Sequence, residues 1–318
     1  MYDVIIVGGG PAGLAAALVL GRCRRSVLVI DHGEQRNRKA RLMHGYLTRD
    51  GIEPAEFLRL ARAELAPYGV EQVRGRVEHA EVEEGKPFAV DYRAPGSATV
   101  ERVLSRKLML ATGMGDVMPP LENIERFYGA TVHHCPYCDG WEHRGKRLVA
   151  WGRGDAAIGL ALALRTWSND VTACSDGAPV SAEFRARARG RGIVLCEEKT
   201  VRLMGSGERV ERIEFEGGGA AECDALFFNT GQYQRSDLPK RLSCSFKEDG
   251  GVETTARQCT GKRGLYLAGD ADREVEFVIV AAAEGATAAT AINRELQDDD
   301  EESESGVARR AGKGGVVK

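Results

Sequence analysis

The chain has 318 residues, 43% of them apolar and 6% aromatic, with 39 glycines and a formal net charge of −3. That length suits two domains of roughly 100–200 residues each, the composition excludes fibrous and disordered classes, and the charge gives no reason to expect nucleic acid as a partner. The acidic start Met1-Tyr2-Asp3 and the glycines that interrupt the apolar stretch from Val4 to Leu20 exclude a secretory signal and a membrane span, so a soluble cytoplasmic protein is expected.

In chain order, Val4–Val7 is a continuous apolar run, as a buried parallel strand should be. It leads through Gly8-Gly9-Gly10-Pro11-Ala12-Gly13 into an Ala/Leu-rich helix from Pro11 to Leu20, then into a strand at Val27–Ile30 that ends in Asp31. This is the G-x-G-x-x-G fingerprint. Gly8 makes the turn, Gly10 lets a pyrophosphate approach, Gly13 packs helix on strand, and Asp31 is placed for a ribose diol.

A second copy begins with the strand Arg147–Ala150, turns through Gly152-Arg153-Gly154-Asp155-Ala156-Ala157, runs through a helix to Leu164 and reaches a strand at Val171–Cys174. Two such units predict an α/β protein with two Rossmann-like nucleotide-binding folds. After the second strand, Asp176 stands where a 2′-phosphate would call for arginines, which favours NAD over NADP or a weak nucleotide site. Near the end, Gly264–Asp270 reads as a strand closing in a Gly269-Asp270 turn and Phe277–Asn293 as a helix. The acidic run after Leu296 predicts a disordered tail over residues 297–318.

Eight cysteines at irregular spacings do not make a secreted disulfide framework. One close pair stands out, in His133-His134-Cys135-Pro136-Tyr137-Cys138-Asp139-Gly140. A redox dithiol, a zinc pair and inert buried thiols all fit two cysteines at this spacing. Zinc would need two more ligands, and no second Cys-x-x-Cys exists, so no metal is expected. A histidine beside the pair, His134 foremost, could stabilise a thiolate, and Asp139 could serve as the acid or base that thiol–disulfide exchange requires. The other six cysteines receive no chemistry.

Gly8 to Gly13, Ala111-Thr112-Gly113 at the end of an apolar strand, Cys135 to Gly140, Gly152 to Ala157, and Gly269-Asp270 together, in that order, resemble the low-molecular-weight thioredoxin reductase family. The match reaches to about Asn293. The resemblance implies a FAD domain split in sequence (residues 1–114 and 232–296) around an inserted NAD(P)-binding-like domain (115–231) that carries the cysteines, with hinges near Gly115 and Gly231, and a homodimer. It implies that Gly8, Gly10, Pro11, Ala12, Gly13, Asp31, Asn37, Thr112, Gly113, Gly269 and Asp270 contact FAD, that Gly152, Gly154 and Asp176 meet any nicotinamide nucleotide, that Cys138 faces the flavin and that Cys135 meets the substrate. His44-Gly45-Tyr46-Leu47-Thr48 and His133–Cys138 look more like the branch that closes disulfides of secondary metabolites such as gliotoxin, holomycin and romidepsin. In that branch a histidine often follows the second cysteine, whereas this chain keeps the reductase-like Asp139.

The expected activity is therefore FAD-dependent oxidation of a small dithiol, with electrons passing to oxygen or NAD(P)+. The rival is the same wiring run backwards, NAD(P)H reducing a thioredoxin-like protein. A non-catalytic redox sensor is the third reading.

Overall fold

The computed structural model describes residues 1–273 and 275–311, with side chains to residue 304 at the C-terminal end. Two compact units divide the chain. One holds Met1–Gln35, Ala55–Met114 and the chain from Gln234 onward; the other holds Arg36–Pro54 and Gly115–Tyr233.

The first unit opens with β1 (Tyr2–Val7), α1 (Pro11–Arg22) and β2 (Val27–Asp31), then α2 (Pro54–Leu65), β3 (Glu71–Arg74), β4 (Arg76–Glu81), β5 (Phe88–Arg93) and β6 (Val100–Leu110). The strands lie in the order β3-β2-β1-β6-β5-β4. β1 runs parallel to both β2 and β6, so Val4 to Val7 is covered on both faces and is apolar throughout. Leu14 and Leu20 of α1 pack under the sheet with Ile6 and Val29, each burial contributing about 1.5–3 kcal/mol.

In the second unit β7 (Met114–Asp116) is followed by α3 (Ile124–Phe127), β8 (Val132–His133), α4 (Pro136–Asp139), β9 (Leu148–Trp151), α5 (Asp155–Leu164), β10 (Val171–Cys174), α6 (Ala182–Gly190) and β11 (Val194–Cys196). An antiparallel trio, β12 (Thr200–Ser206), β13 (Arg209–Phe215) and β14 (Ala220–Glu222), precedes β15 (Ala225–Phe228) and β16 (Gln232–Gln234). The main sheet, ordered β11-β10-β9-β15-β8, is all parallel. The chain then returns to the first unit through α7 (Leu238–Arg241), β17 (Leu265–Leu267), which pairs with β6, and α8 (Val278–Ala311). The α/β architecture with two Rossmann-like sheets is the one the sequence predicts.

Two boundaries differ from expectation. The loop Arg36–Pro54, read as part of the first domain, groups with the second unit. It is tied there by pairs such as Arg36 with Asp116 and Lys39 with Glu125. α8 does not end near residue 296: it continues through the acidic run to Ala311, while residues 312–318 of the expected tail lie outside the described residues. The run is held by cations rather than by apolar burial. Lys107, 3% exposed, has its Nζ 2.8 Å from both Glu295 and Asp299, and Asp300 pairs with Arg25 and Arg106. No helix among the described residues is long and apolar enough to cross a membrane.

Candidate active site

Cys135 and Cys138 are joined as a disulfide with their Cα atoms 5.3 Å apart. Cys135 sits at the N-cap of α4, Pro136 occupies the first helical position with φ preset for it, and Cys138 N–H donates to Cys135 Sγ at 3.2 Å. Gly140 ends the turn because nothing larger fits: a Cβ there would lie 2.5 Å from the Pro136 carbonyl oxygen and 2.7 Å from the Trp167 ring. Both cysteines remain partly accessible.

The two histidines before Cys135 serve different networks, because adjacent residues of an extended segment leave on opposite faces. His133 is buried, with Nδ1 3.3 Å from Asp139 Oδ1 and Nε2 2.9 Å from His143 Nε2. If His133 Nδ1–H donates to Asp139, its Nε2 accepts from His143 Nε2–H and His143 Nδ1 is left a bare acceptor; that buried nitrogen has no hydrogen-bond partner. Burial, with the neighbouring His133, lowers the His143 pKa to about 4.

His134 turns to Tyr128, whose hydroxyl is 3.0 Å from its Nδ1, and towards Asp116 at 3.9 Å. Burial lowers the His134 pKa against the opposing pull of Asp116. Burial alone would raise the Asp116 carboxyl, but its two hydrogen bonds from Arg36 and the charges beside it hold it below the usual range. So Asp139 joins His133 and His143 in one chain, and His134 belongs to another that fastens Arg36. His143, ten residues after His133, was not singled out from the sequence; no periodicity links it to the cysteines, and only the fold brings it to His133.

The first glycine turn is shaped for a dinucleotide. Gly8 has φ +113°, and a Cβ there would meet the Ala111 carbonyl oxygen at 2.1 Å; one on Gly13 would meet the Gly8 carbonyl at 1.9 Å. Gly10 faces open space, with nothing within 4 Å of a Cβ, and α1 begins there without a side-chain cap. The helix N-terminus is therefore free to receive phosphate oxygens, Pro11 and Ala12 forming its first residues. Thr112 Oγ1 is buried with no partner, and Gly113 beside it also faces open space. These features fit FAD. Asp31 Oδ2 accepts from Gln35 and Arg62 at 2.9 Å each. Gly269, at φ +85°, precedes the single turn Asp270–Asp272, and its N–H donates to Glu284. Asn37 lies in the loop that groups with the second unit.

The second turn has the same spacing and a different interior. A Cβ on Gly154 would lie 2.8 Å from the Pro179 carbonyl oxygen, Asp155 Oδ1 accepts from Ser181 N–H at 2.8 Å, and Gly152 packs on the backbone of Ala157. Asp176, at φ +52°, turns into the unit, where its Oδ1 accepts from the Thr200 amide at 3.2 Å and the Thr200 hydroxyl at 2.7 Å.

A family model described as pyridine nucleotide-disulphide oxidoreductase matches residues 2–285. The structure of HlmI is 31% identical with a TM-score of 0.91, covering 98% of this chain and 97% of that one. The oxidoreductase from Agrobacterium tumefaciens is also 31% identical, with a TM-score of 0.84 over 93% and 98% of the two chains. A protein of Arthroderma benhamiae named "Probable thioredoxin reductase" is 29% identical over 273 residues, which cover 76% of this chain and 66% of that protein's length. The chain belongs to the pyridine nucleotide-disulphide oxidoreductase family and, within it, to the FAD-dependent, thioredoxin-reductase-like thiol–disulfide oxidoreductases, with Cys135–Cys138 as its active-site pair.

Proposed function

We propose that the enzyme oxidises a small-molecule dithiol to its disulfide through Cys135–Cys138, with dioxygen as the final acceptor. The contrast between the two glycine fingerprints carries this direction. The second glycine of a fingerprint must leave room for a pyrophosphate. A Cβ on Gly10 would meet open space, whereas one on Gly154 would lie 2.8 Å from the carbonyl oxygen of Pro179, in a segment held by the bond from Ser181 to Asp155, so the second turn is the more crowded of the two. Asp155 also sets a negative charge at the helix end that would have to receive phosphates, and the segment Ser175–Ser181 carries no Lys or Arg. A reductase needs a nicotinamide nucleotide at this turn; a dithiol oxidase does not. The resemblance of His44–Thr48 and His133–Cys138 to the metabolite-disulfide branch supports a small substrate.

Gly8, Gly10, Pro11, Ala12 and Gly13 would hold the pyrophosphate of FAD, Asp31 a ribose hydroxyl, and Thr112, Gly113, Gly269 and Asp270 the rest of the group. When bound, FAD supplies the two-electron acceptor for the reduced cysteine pair. A substrate thiolate attacks Cys135 Sγ, the Cys135–Cys138 bond breaks, and Cys138 leaves as a thiolate. The second substrate thiol then attacks the substrate sulfur of the mixed disulfide and expels Cys135. The Cys138 amide, 3.2 Å from Cys135 Sγ, stabilises that leaving thiolate, since hydrogen bonds to an ionised acceptor are roughly twice as strong as neutral ones. The two substrate protons leave one at a time through Asp139, which takes up one and passes it to solvent before receiving the second, with His133 and His143 hydrogen-bonded behind it.

Dithiol-dependent oxygen uptake tests this reading. Cys138→Ser should keep bound FAD and lose the uptake; undiminished turnover in that variant would overturn the mechanism.

A further inference from the structure

Unit 2 contains a second pair of thiols that the reaction above does not use. Cys174 ends β10 and Cys196 ends β11, and the parallel ladder pairs them directly, Cys174 opposite Cys196. Neighbouring strands lie about 4.7–4.9 Å apart, inside the range of about 4.4–6.8 Å that Cα atoms of a disulfide span. Paired positions of a ladder send their side chains to the same face, so the register sets these two thiols side by side.

Their exposures are unequal. Cys174 is fully buried in the apolar cluster with Leu203, Phe215 and Cys223; Cys196 lies on β11, the edge strand of the sheet, and is partly accessible. The neighbouring Cys174 thiol, with the Glu198 amide, outweighs burial and lowers the Cys196 thiol to about 7, while the same pairing and burial push Cys174 up. One thiol is thus placed to react and the other to resolve. Cys223, buried and pushed up to about 12 by desolvation, is suited to neither role.

We propose that Cys174 and Cys196 form a second thiol–disulfide exchange site, oxidised by low-molecular-weight disulfides. The Cys196 thiolate attacks one sulfur of the small disulfide, forming a mixed disulfide and releasing one small thiolate. Cys174 then attacks Cys196 Sγ, gives up its proton and releases the second small thiol. The two cysteines lose two electrons and the small disulfide gains them. Closure joins residues already paired in one ladder and requires no change of strand order. The proposal is independent of the direction of electron flow at Cys135–Cys138.

The test is to reduce the purified full chain, remove the reductant, add glutathione disulfide, block free thiols by alkylation and map disulfides by mass spectrometry. The expected result is a Cys174–Cys196 linkage alongside Cys135–Cys138, with two further thiols lost to alkylation. Cys174→Ser should trap one glutathione on Cys196, and Cys196→Ser should leave Cys174 a free thiol. Recovery of Cys174 and Cys196 as alkylated thiols in the wild-type chain would overturn the proposal. So would a stable glutathione adduct on wild-type Cys196, or linkage of either residue to Cys223.

Discussion

His143 gives a prediction with a definite sign and size. Its pKa falls from 6.5 to about 4 on folding because the ring is buried beside His133. The unfolded chain therefore binds a proton between those values that the folded chain refuses, and stability contributed by the neutral ring is complete above pH 6.5 and is lost as the pH falls towards 4. At about 1.36 kcal/mol per pH unit the full loss is about 3 kcal/mol. With roughly 2–4 °C per kcal/mol in a domain of this size, that is about 6–12 °C in melting temperature. The assay is thermal unfolding of wild type and His143→Gln from pH 7.5 to pH 4. Groups common to both proteins cancel, and the wild type should lose about 3 kcal/mol relative to the variant across that range. A difference in stability that stays constant with pH would refute the argument.

Three further outcomes are expected. Thr112→Val should leave the apoprotein as stable as wild type or more so, because an unpaired buried hydroxyl costs about 1–3 kcal/mol, while FAD affinity measured by fluorescence titration should fall about tenfold, the worth of one hydrogen bond near 1.4 kcal/mol. Gly10→Ala, with φ −82° and open space before it, should cost the apoprotein about 1 kcal/mol or less yet abolish flavin absorbance; Gly154→Ala, strained at φ +58°, should instead lower the melting temperature and leave flavin bound. Asp139→Asn should slow dithiol oxidation by about 10²–10⁴-fold, the usual range for a lost acid–base group, whereas His134→Gln should change it by less than about tenfold, since His134 serves the Tyr128–Asp116–Arg36 network.

Much of this was legible in the sequence because it was local. Val4–Val7, Gly8–Gly13 and Val27–Asp31 declare strand, turn, helix and strand through continuous apolar runs and glycine spacing, and the second copy does the same from Leu148 to Cys174. What stayed hidden depends on contacts far along the chain. Gly154 looks like Gly10 until Pro179 is seen against it. Asp176 reads as a nucleotide contact until Thr200, 24 residues later, is found holding it. Cys174 and Cys196 were scattered thiols until the register of β10 with β11 placed them side by side. The acidic run after Leu296 has the composition of a disordered tail, but the helix that carries it is paired with Arg25, Arg106 and Lys107 from the N-terminal part of the chain and with Arg263.

Anaerobic mixing of the flavin-loaded enzyme with each electron donor tests the central claim most directly. A small dithiol such as dithiothreitol should bleach the flavin absorbance rapidly, and NADH or NADPH at the same concentration should hardly change it. Rapid bleaching by either nucleotide, followed by reduction of Cys135–Cys138, would contradict the account and make the enzyme a reductase.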